Sequence, residues 1–392
     1  MPIRPHWICL AALVACDDGG GESTSADATT APDAAVPADA QVVDLPDGEV
    51  RPVVGNISGD LTYAAVDDAG GHLYSVRGDG SDVQRITTEA GFWGAHAVAP
   101  DRRRVAVVRH QMADRSDRGV VWVLDLRAAD AYAITPDDCD AGAGGVGWRD
   151  DRRLIFSMSC ADGAEGVWMS AFDNTGRDRD LMLPLTDLDV QARDVTAAVG
   201  TPLFAYSRLE EICEGDACEM RSTLWVGNES VGSVCRVTDG DPQRRDVWAG
   251  DREPAFTANL GALVFARHVP EKDGPLSPHY DVFRMDVDQR AIFDGGDFCG
   301  LPGTLTTLTD ALISDMSSGV EGLLSERQPQ PLTEIADGTV TYLFLGQSGP
   351  ADDVRSGAFL VDLSGMAGPL LPSANMSHVR WIVTEYDTSG ER

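Results

Sequence analysis

Lysine is nearly missing from this chain of 392 residues, in which Lys272 is the single example. Positive charge is scarce overall, since 31 Lys and Arg residues face 63 Asp and Glu residues and the formal net charge is -32 at pH 7. Such a negative field repels phosphate backbones and anionic lipid headgroups at long range. We therefore expect no nucleic acid among the partners and no electrostatic attachment to a membrane surface.

Long apolar runs and helical periodicity are also missing. After the first residues, no run approaches the ~18 apolar residues that a membrane-spanning helix needs. Apolar residues instead recur in short alternating segments separated by Gly, Asp and Pro. This pattern is typical of β-strands joined by tight turns, so the sequence predicts an all-β fold.

The sequence motifs of common enzymes are absent. The chain has no Gly-x-Ser-x-Gly elbow, phosphate loop, dinucleotide fingerprint, HExxH motif or EF-hand loop. The acidic segment 137–140 (DDCD) is able to attract calcium, but it lacks EF-hand spacing, and a solvated loop is the favoured interpretation. We expect no cofactor and no bound metal, and the favoured interpretation is a protein that is not an enzyme, with an enzyme left open as the alternative.

The N-terminus has the features of an export signal. Arg4 precedes an apolar run at 7–15 that is too short to span a bilayer. The run ends in Leu13-Val14-Ala15-Cys16, which resembles the lipobox of bacterial lipoproteins. The resemblance implies a signal peptide at 1–15 and a lipid on Cys16, which would be the only membrane anchor of an extracytoplasmic protein. An ordinary signal peptide with an incidental cysteine is the alternative.

A polar region follows the apolar run. Residues 16–52 contain nine acidic residues against Arg51 alone, and almost no large apolar side chain. Such a composition cannot bury enough surface to offset the entropy of ordering. The sequence therefore predicts a disordered acidic tether at 16–52 and one folded domain at 53–392.

A hairpin unit recurs along the folded domain. Its clearest copy is LYSVRGDGSDVQRIT at 73–87, where two alternating segments flank a turn rich in Gly and Asp. We therefore interpret Arg77-Gly78-Asp79 as part of a hairpin rather than as a cell-recognition motif. Pairs of similar segments begin at Leu61, Val105, Leu154, Leu203, Leu263 and Val340.

Two further features recur at fixed positions of this unit. An aliphatic residue followed by threonine ends the unit at Ile86-Thr87, Ile134-Thr135, Leu185-Thr186, Val237-Thr238 and Leu308-Thr309. Turns such as Ala99-Pro100-Asp101-Arg102 precede several of the strands. Together with LYSVRGDGSDVQRIT, these features resemble the repeats of TolB-like, WD-repeat-like β-propellers.

The resemblance covers about residues 60–390. It implies four-stranded blades of ~40–45 residues each. We expect a six-bladed propeller, with seven blades as the alternative. Closure of the ring would place a C-terminal strand at 379–386 beside 61–66.

One face of such a propeller collects the ends of the second strands. Six basic residues fall at this face: His96, Arg109, His110, Arg208, Arg267 and His268. Some propeller lyases that act on acidic sugars resemble this arrangement, which implies a propeller enzyme acting on acidic glycans as one alternative. Structural pairing of these side chains with the many carboxylates is the favoured interpretation.

Long polar loops emerge at the same face, at 111–118, 210–221, 269–279 and 347–355. Because binding residues concentrate on loops held by a rigid scaffold, we expect a recognition surface there. The expected function is a non-catalytic binding or scaffold module of the cell envelope, monomeric, with an envelope protein or glycan as its partner. Neutral drift of loop length is the alternative, and a predicted insertion at 288–303 on the opposite face favours it.

Eight cysteines are present. Without Cys9 and Cys16, six remain, and an even number in an exported chain favours disulfides, although six cysteines allow 15 pairings. Zinc is the rival interpretation for Cys213-x4-Cys218, but no second pair of matching spacing exists. From the loop faces of the expected propeller we predict the bonds Cys139–Cys160, Cys213–Cys218 and Cys235–Cys299.

Overall fold

The computed structural model describes most of the folded domain between Ile57 and Trp381. The described residues are 57, 59, 61–67, 70–77, 81–111, 117–142, 144–214, 217–240, 250–257, 260–269, 279–286, 305–307, 325–334, 340–348, 355–361, 367–373 and 376–381. From 305 onward the description covers backbone strands alone. The expected signal peptide (1–15), tether (16–52) and insertion (288–303) lie outside the described residues.

The described residues consist of strands and turns. In chain order the strands are β1 (Leu61–Asp67), β2 (Gly70–Val76), β3 (Gln84–Arg85), β4 (Phe92–Val98), β5 (Arg104–His110), β6 (Val120–Asp125), β7 (Asp130–Ala133), β8 (Cys139–Asp140), β9 (Val146–Trp148), β10 (Arg153–Cys160), β11 (Glu165–Ala171), β12 (Leu183–Pro184), β13 (Ala192–Ala197), β14 (Leu203–Glu214), β15 (Ala217–Asn228), β16 (Ser233–Arg236), β17 (Asp251–Phe256), β18 (Ala262–His268), β19 (Tyr280–Asp286), β20 (Leu305–Thr307), β21 (Ser325–Glu334), β22 (Val340–Ser348), β23 (Arg355–Val361), β24 (Ala367–Ser373) and β25 (Met376–Trp381).

The predicted all-β fold is confirmed. The described part of the chain contains one short 3-10 turn, Arg179–Leu181, and no α-helix. None of its helical segments is long and apolar enough to cross a membrane.

The strands form six antiparallel sheets, numbered here in chain order. Five are regular four-stranded blades: sheet 1 (β25-β1-β2-β3), sheet 2 (β4 to β7), sheet 4 (β13 to β16), sheet 5 (β17 to β20) and sheet 6 (β21 to β24). The other, sheet 3, has five strands in the described residues, because β8 and β9 both pair with β10, followed by β11 and β12.

The expected count of six or seven four-stranded blades is wrong: the described residues form five four-stranded blades, and sheet 3 departs from that pattern. Its inner edge is interrupted between β8 and β9, at a glycine-rich segment. A Cβ on Gly145 would lie 2.3 Å from the Val195 carbonyl oxygen of sheet 4. The backbone thus passes too close to the next sheet for a side chain at this position, and the strand breaks there.

The sheets are arranged as a β-propeller. Around the ring, innermost strands contact one another in the order β25, β4, β9, β13, β17, β21 and back to β25. The C-terminal strand closes the ring, since β25 pairs with β1 in a register that joins Leu61 to Trp381 and Tyr63 to Val379. The expected closing pair is therefore confirmed, although β25 begins three residues earlier than predicted. Closure removes exposed sheet edges at the joint.

The apolar core lies between neighbouring sheets. Val108 of sheet 2 packs in one cluster with Trp148 and Phe156 of sheet 3. The Trp148 ring also donates Nε1–H to the Ala97 carbonyl oxygen, 3.0 Å away on sheet 2. Similar clusters join sheet 1 to sheet 2, sheet 3 to sheet 4 and sheet 4 to sheet 5. Sheets 2, 3 and 4 therefore bury both of their faces, which explains the nearly continuous apolar sequence of their second strands.

The recurrent threonine has a definite structural use. After the fourth strand of four sheets, the threonine Oγ1 accepts a hydrogen bond from a backbone N–H of the third strand. The pairs are Leu73 N to Thr87 (3.1 Å), Val121 N to Thr135 (2.8 Å), Val167 N to Thr186 (3.1 Å) and Leu224 N to Thr238 (2.9 Å). Thr309 lies outside the described residues. The threonine continues the strand pairing where the fourth strand ends.

Two predicted disulfides are present in the structure: Cys139–Cys160 in sheet 3 and Cys213–Cys218 in sheet 4. Cys235 is also disulfide-bonded. Its predicted partner, Cys299, lies outside the described residues.

The hairpin interpretation of Arg77-Gly78-Asp79 agrees with the flanking strands. β2 pairs with β3, and the Arg77 N–H donates to the Ser81 carbonyl oxygen at 2.9 Å. Gly78 and Asp79 themselves lie outside the described residues.

Candidate binding face

One face of the propeller, called here the bulge face, is where innermost strands begin and second strands end. Register places Phe92 opposite His110, Ala192 opposite Arg208 and Asp251 opposite Arg267. The opposite face, called the turn face, carries short turns such as 99–103 and 149–153, as the sequence predicts.

A β-bulge occurs at one register in the innermost strands of four sheets. One extra residue is inserted between Trp93 and His96, Arg193 and Thr196, Arg252 and Ala255, and Arg327 and Gln330. In sheets 4 and 5 the bulge contains an acid with positive φ: Asp194 at 50° and Glu253 at 55°. Few residues other than glycine adopt this conformation, and bulges of this kind redirect side chains.

Asp194 links sheet 4 to sheet 5. Its Oδ2 accepts a hydrogen bond from Ser207 Oγ at 2.7 Å and another from Arg252 Nε at 3.3 Å. Burial alone would lower the pKa of Arg252, but Asp194 and Glu253 raise it above its ordinary value. Arg252 therefore remains charged between the two bulge acids.

The charges continue toward sheet 3 through Arg193. Burial raises the pKa of Glu165, and Arg193 opposes that rise. Burial also lowers the pKa of Arg193, an effect that Asp194 and Glu165 oppose and Arg252 reinforces. Glu165, Arg193, Asp194, Arg252 and Glu253 thus alternate in sign across three sheets, and we call them the charged row.

A second ion pair lies beside the charged row in sheet 5. Arg267 donates Nε–H to Asp251 Oδ1 at 2.6 Å and Nη2–H to Oδ2 at 2.8 Å. The Asp251 side chain is 0 % exposed. The guanidinium carbon of Arg267 lies 5.5 Å and 5.2 Å from the ring centroids of Phe265 and Phe283. Arg267 therefore neutralises a fully buried carboxylate and covers an aromatic surface.

The three candidate histidines are buried, His96 and His110 on sheet 2 and His268 on sheet 5. His96 bonds through Nε2 to Thr62 Oγ1 of sheet 1 at 3.0 Å. His110 Nδ1 lies 3.2 Å from the Asp117 carbonyl oxygen. His268 packs edge-on against Tyr280, with ring centroids 5.8 Å apart.

The remaining two candidate arginines stack on aromatic rings. Arg109 lies over Trp93 and Trp122, at 5.2 Å and 5.7 Å from the ring centroids, and is 3.8 Å from Glu89. Burial lowers the pKa of Arg109, and Glu89 opposes that change. Arg208 lies 4.8 Å from the Trp225 ring centroid. These contacts join neighbouring strands of one sheet.

The six candidate residues therefore occupy the bulge face as separate contacts on sheets 2, 4 and 5. Among the described residues, no group of three or more His, Cys, Asp or Glu side chains is arranged to hold a metal ion. A role for these six residues in binding stays a prediction.

The charged row was not predicted. Its sequence signal is an arginine followed by an acid at the start of an innermost strand, as in Arg193-Asp194 and Arg252-Glu253. Sheet 6 has Arg327-Gln328 at the same register. The signal becomes visible only after the innermost strands are aligned.

The acidic segment 137–140 has structural partners. Asp137 pairs with Arg177, and Asp140 Oδ1 accepts from the N–H groups of Gly119 and Gly142 at 2.9 Å and 2.7 Å. These carboxylates hold the inner edge of sheet 3 in place.

Sheet 4 extends farther than its neighbours at the bulge face. β14 and β15 each have 12 residues, compared with eight in β10 of sheet 3 and seven in β18 of sheet 5. They pair from Leu203–Asn228 to Glu214–Ala217, and the Cys213–Cys218 bond joins them near the tip. The side chains of Glu211, Cys213, Cys218 and Met220 are exposed.

The fold and this face define the protein as a β-propeller. Neither a family model nor a curated protein sequence matches the chain. Similarity appears among solved structures.

Three of these structures illustrate the range. Putative TolB from Agrobacterium tumefaciens is 12% identical, with 86% of this chain and 100% of that chain covered and a TM-score of 0.47. Hydrazine synthase from Kuenenia stuttgartiensis is 13% identical, with coverage of 86% and 47% and a TM-score of 0.51. Oligogalacturonate lyase from Vibrio parahaemolyticus is 8% identical, with coverage of 82% and 79% and a TM-score of 0.44. At such identities the likeness concerns the fold alone.

Proposed function

We propose that this protein is a lipid-anchored, extracytoplasmic β-propeller that acts as a non-catalytic binding or scaffold module of the cell envelope. Its binding surface is the bulge face. The observation that carries the proposal is a difference between two sets of side chains on that face. The buried basic side chains make internal contacts, whereas the long strands of sheet 4 carry exposed side chains.

The internal contacts make a rigid support. Arg252 bridges sheets 4 and 5 through Asp194, and His96 bridges sheets 1 and 2 through Thr62. A face fixed in this way holds the strand ends that carry its loops in defined positions, which lowers the entropy lost when a partner binds.

The alternative, an enzyme acting on acidic glycans, requires basic side chains that reach a substrate. Arg267 is bound at both ends of its guanidinium to Asp251, and His96 is 0 % exposed. This arrangement favours the binding module.

The compartment is supported by two kinds of observation. The disulfides Cys139–Cys160 and Cys213–Cys218 are of a kind that persists in oxidising compartments. The sequence Leu13-Val14-Ala15-Cys16 has the form of a lipidation signal. We place the folded domain outside the cytoplasm, held by a lipid on Cys16, with an envelope protein or glycan as its partner.

Capture from the native envelope tests the binding face. The loop 270–278 is suited to excision, because the Val269 N–H bonds to the His279 carbonyl oxygen at 2.9 Å across its base. The first variant replaces this loop with Asn-Gly. A matched control, Arg127→Glu, alters an exposed residue next to β6 on the turn face.

We expect the full chain and the Arg127→Glu variant to retain the same specific partner, and the loop variant to retain much less of it. Equal thermal unfolding of all three proteins would show that the fold is intact. Loss of the partner with Arg127→Glu, and retention with the loop variant, would contradict the proposal.

A further inference from the structure

The outer part of the β14–β15 hairpin is a two-stranded ribbon that stands apart from the rest of sheet 4. β13 pairs with β14 as far as Arg208, and β16 pairs with β15 as far as Trp225. Beyond these points, residues 210–214 and 217–221 pair with each other across the hairpin. We call this part the distal ribbon.

One edge of the distal ribbon is open in the described structure. The Leu209 N–H donates to the Gln191 carbonyl oxygen at 3.3 Å, which among the described residues is the last backbone hydrogen bond between β14 and the chain leading into β13. Before Gln191 that chain turns toward sheet 3, where Asp189 bridges Glu165. Alternate residues of an antiparallel strand direct their N–H and C=O groups to the same side. The backbone groups of Glu211 and Cys213 therefore face outward, beyond the last bond of Leu209.

The distal ribbon is stiffened at its tip. An isolated two-stranded ribbon is marginally stable in water, but the Cys213–Cys218 bond joins directly opposed residues here. An open strand edge that is held in its extended shape is a template for a further strand.

The charge of the distal ribbon favours some added strands over others. Residues 209–222 contain five acidic residues and Arg221 as the only basic one. Arg221 is 5 % exposed and lies 3.5 Å from Glu219, so its charge is offset within the ribbon. Like charges on adjacent strands repel. A second copy of this ribbon is thereby disfavoured, whereas a strand rich in Lys or Arg is attracted.

We propose that the β14 edge at Glu211 and Cys213 binds an extended basic segment of a partner protein as an added β-strand. This inference rests on the proposed function and names the chemistry of the partner at the bulge face. Backbone hydrogen bonds supply the pairing, and the acidic residues of the ribbon select for cationic side chains.

A defined peptide tests the inference on the full chain. The probe is a blocked octapeptide of alternating Lys and Thr, and its affinity is measured by fluorescence anisotropy at low and high salt. Two comparison peptides replace Lys with Glu, or carry a methyl group on every backbone nitrogen while keeping all Lys charges.

Two substitutions at one position separate backbone pairing from charge. Glu211→Pro removes an outward-facing N–H, and proline is tolerated on a strand edge whose N–H faces solvent. Glu211→Gln keeps that N–H and removes one negative charge. Thermal unfolding checks that both variants are folded.

We expect the Lys-Thr peptide to bind. Glu211→Pro or methylation of the peptide backbone should weaken binding at least about tenfold, because each change removes one or more backbone hydrogen bonds between the peptide and β14. Glu211→Gln should weaken binding less, and mainly at low salt. Binding that survives both backbone methylation and Glu211→Pro would reveal attraction by charge alone and overturn strand addition.

Absence of peptide binding, or dimerisation of the chain through this edge, would also overturn the inference. Neither result would contradict the proposed function if the native partner were still lost on excision of 270–278.

Discussion

Single residues at the bulge face are fixed by buried charge. Asp251 is 0 % exposed and is neutralised by two hydrogen bonds from Arg267. Removing one partner of such a pair leaves an uncompensated charge in a medium of low polarity, which costs more than the pair itself contributes.

Arg267→Ala should therefore lower the free energy of unfolding by about 3–5 kcal/mol. Asp251→Asn combined with Arg267→Met should recover much of this loss, because no buried charge remains. Chemical denaturation of Arg267→Met, Asp251→Asn and the double variant that combines them gives the coupling energy. Additive losses would show that the two side chains do not act as a pair.

Glu165 of the charged row should make the stability of the protein depend on pH. Burial raises its pKa above the ordinary value of 4.5, with Arg193 in partial opposition. The folded state therefore binds this proton more tightly than the unfolded state, and stability contributed by the proton is lost as pH rises through the folded pKa. Glu165→Gln should remove this decline.

The melting temperatures of the native protein and of Glu165→Gln are measured over a pH series, and their difference is plotted against pH. We expect the advantage of Glu165→Gln to grow as pH rises just above 4.5. A flat difference curve would show that Glu165 has the same proton affinity in both states.

At the scale of strands, the threonine after the fourth strand recurs with the same hydrogen bond in four sheets. Thr135 is 0 % exposed, and its Oγ1 accepts the Val121 N–H at 2.8 Å. Thr135→Val keeps the shape of the side chain and leaves this buried N–H without its acceptor.

Thr135→Val should cost about 1–3 kcal/mol, the usual penalty for a buried backbone donor that loses its acceptor. Thr135→Ser, which retains the hydroxyl, is the matched control and should cost less. Equal unfolding free energies for the native protein and Thr135→Val would refute the role assigned to the hydroxyl.

Strand-scale features were predictable because they depend on local sequence. Alternation and turn residues located the hairpins, and Ile134-Thr135 marked a strand end. The Asp194–Arg252 contact was not predictable in this way, because it joins residues 58 positions apart on different sheets. The break between β8 and β9 was missed for a similar reason, since the close approach of Gly145 to Val195 arises only when sheets 3 and 4 pack together.

At the scale of the whole molecule, our proposal assigns membrane attachment and partner recognition to different parts of the chain. The folded domain begins well after Cys16, so a lipid there would anchor the propeller without altering its ring. Cys16→Ala should release the protein from membranes into the soluble extracytoplasmic fraction, with an unchanged melting temperature. Fractionation followed by mass spectrometry of the mature N-terminus checks this result. Retention of the variant in the membrane pellet would reveal another anchor.

The central claim is that the bulge face binds the partner. Hydrogen–deuterium exchange of the full chain, alone and with the captured partner, tests this claim most directly. We predict slower exchange on binding at β14, β15 and the first residues of the innermost strands β13 and β17, with no change at the turns 99–103 and 149–153. Slower exchange confined to those turns would place the partner on the opposite face and contradict the account.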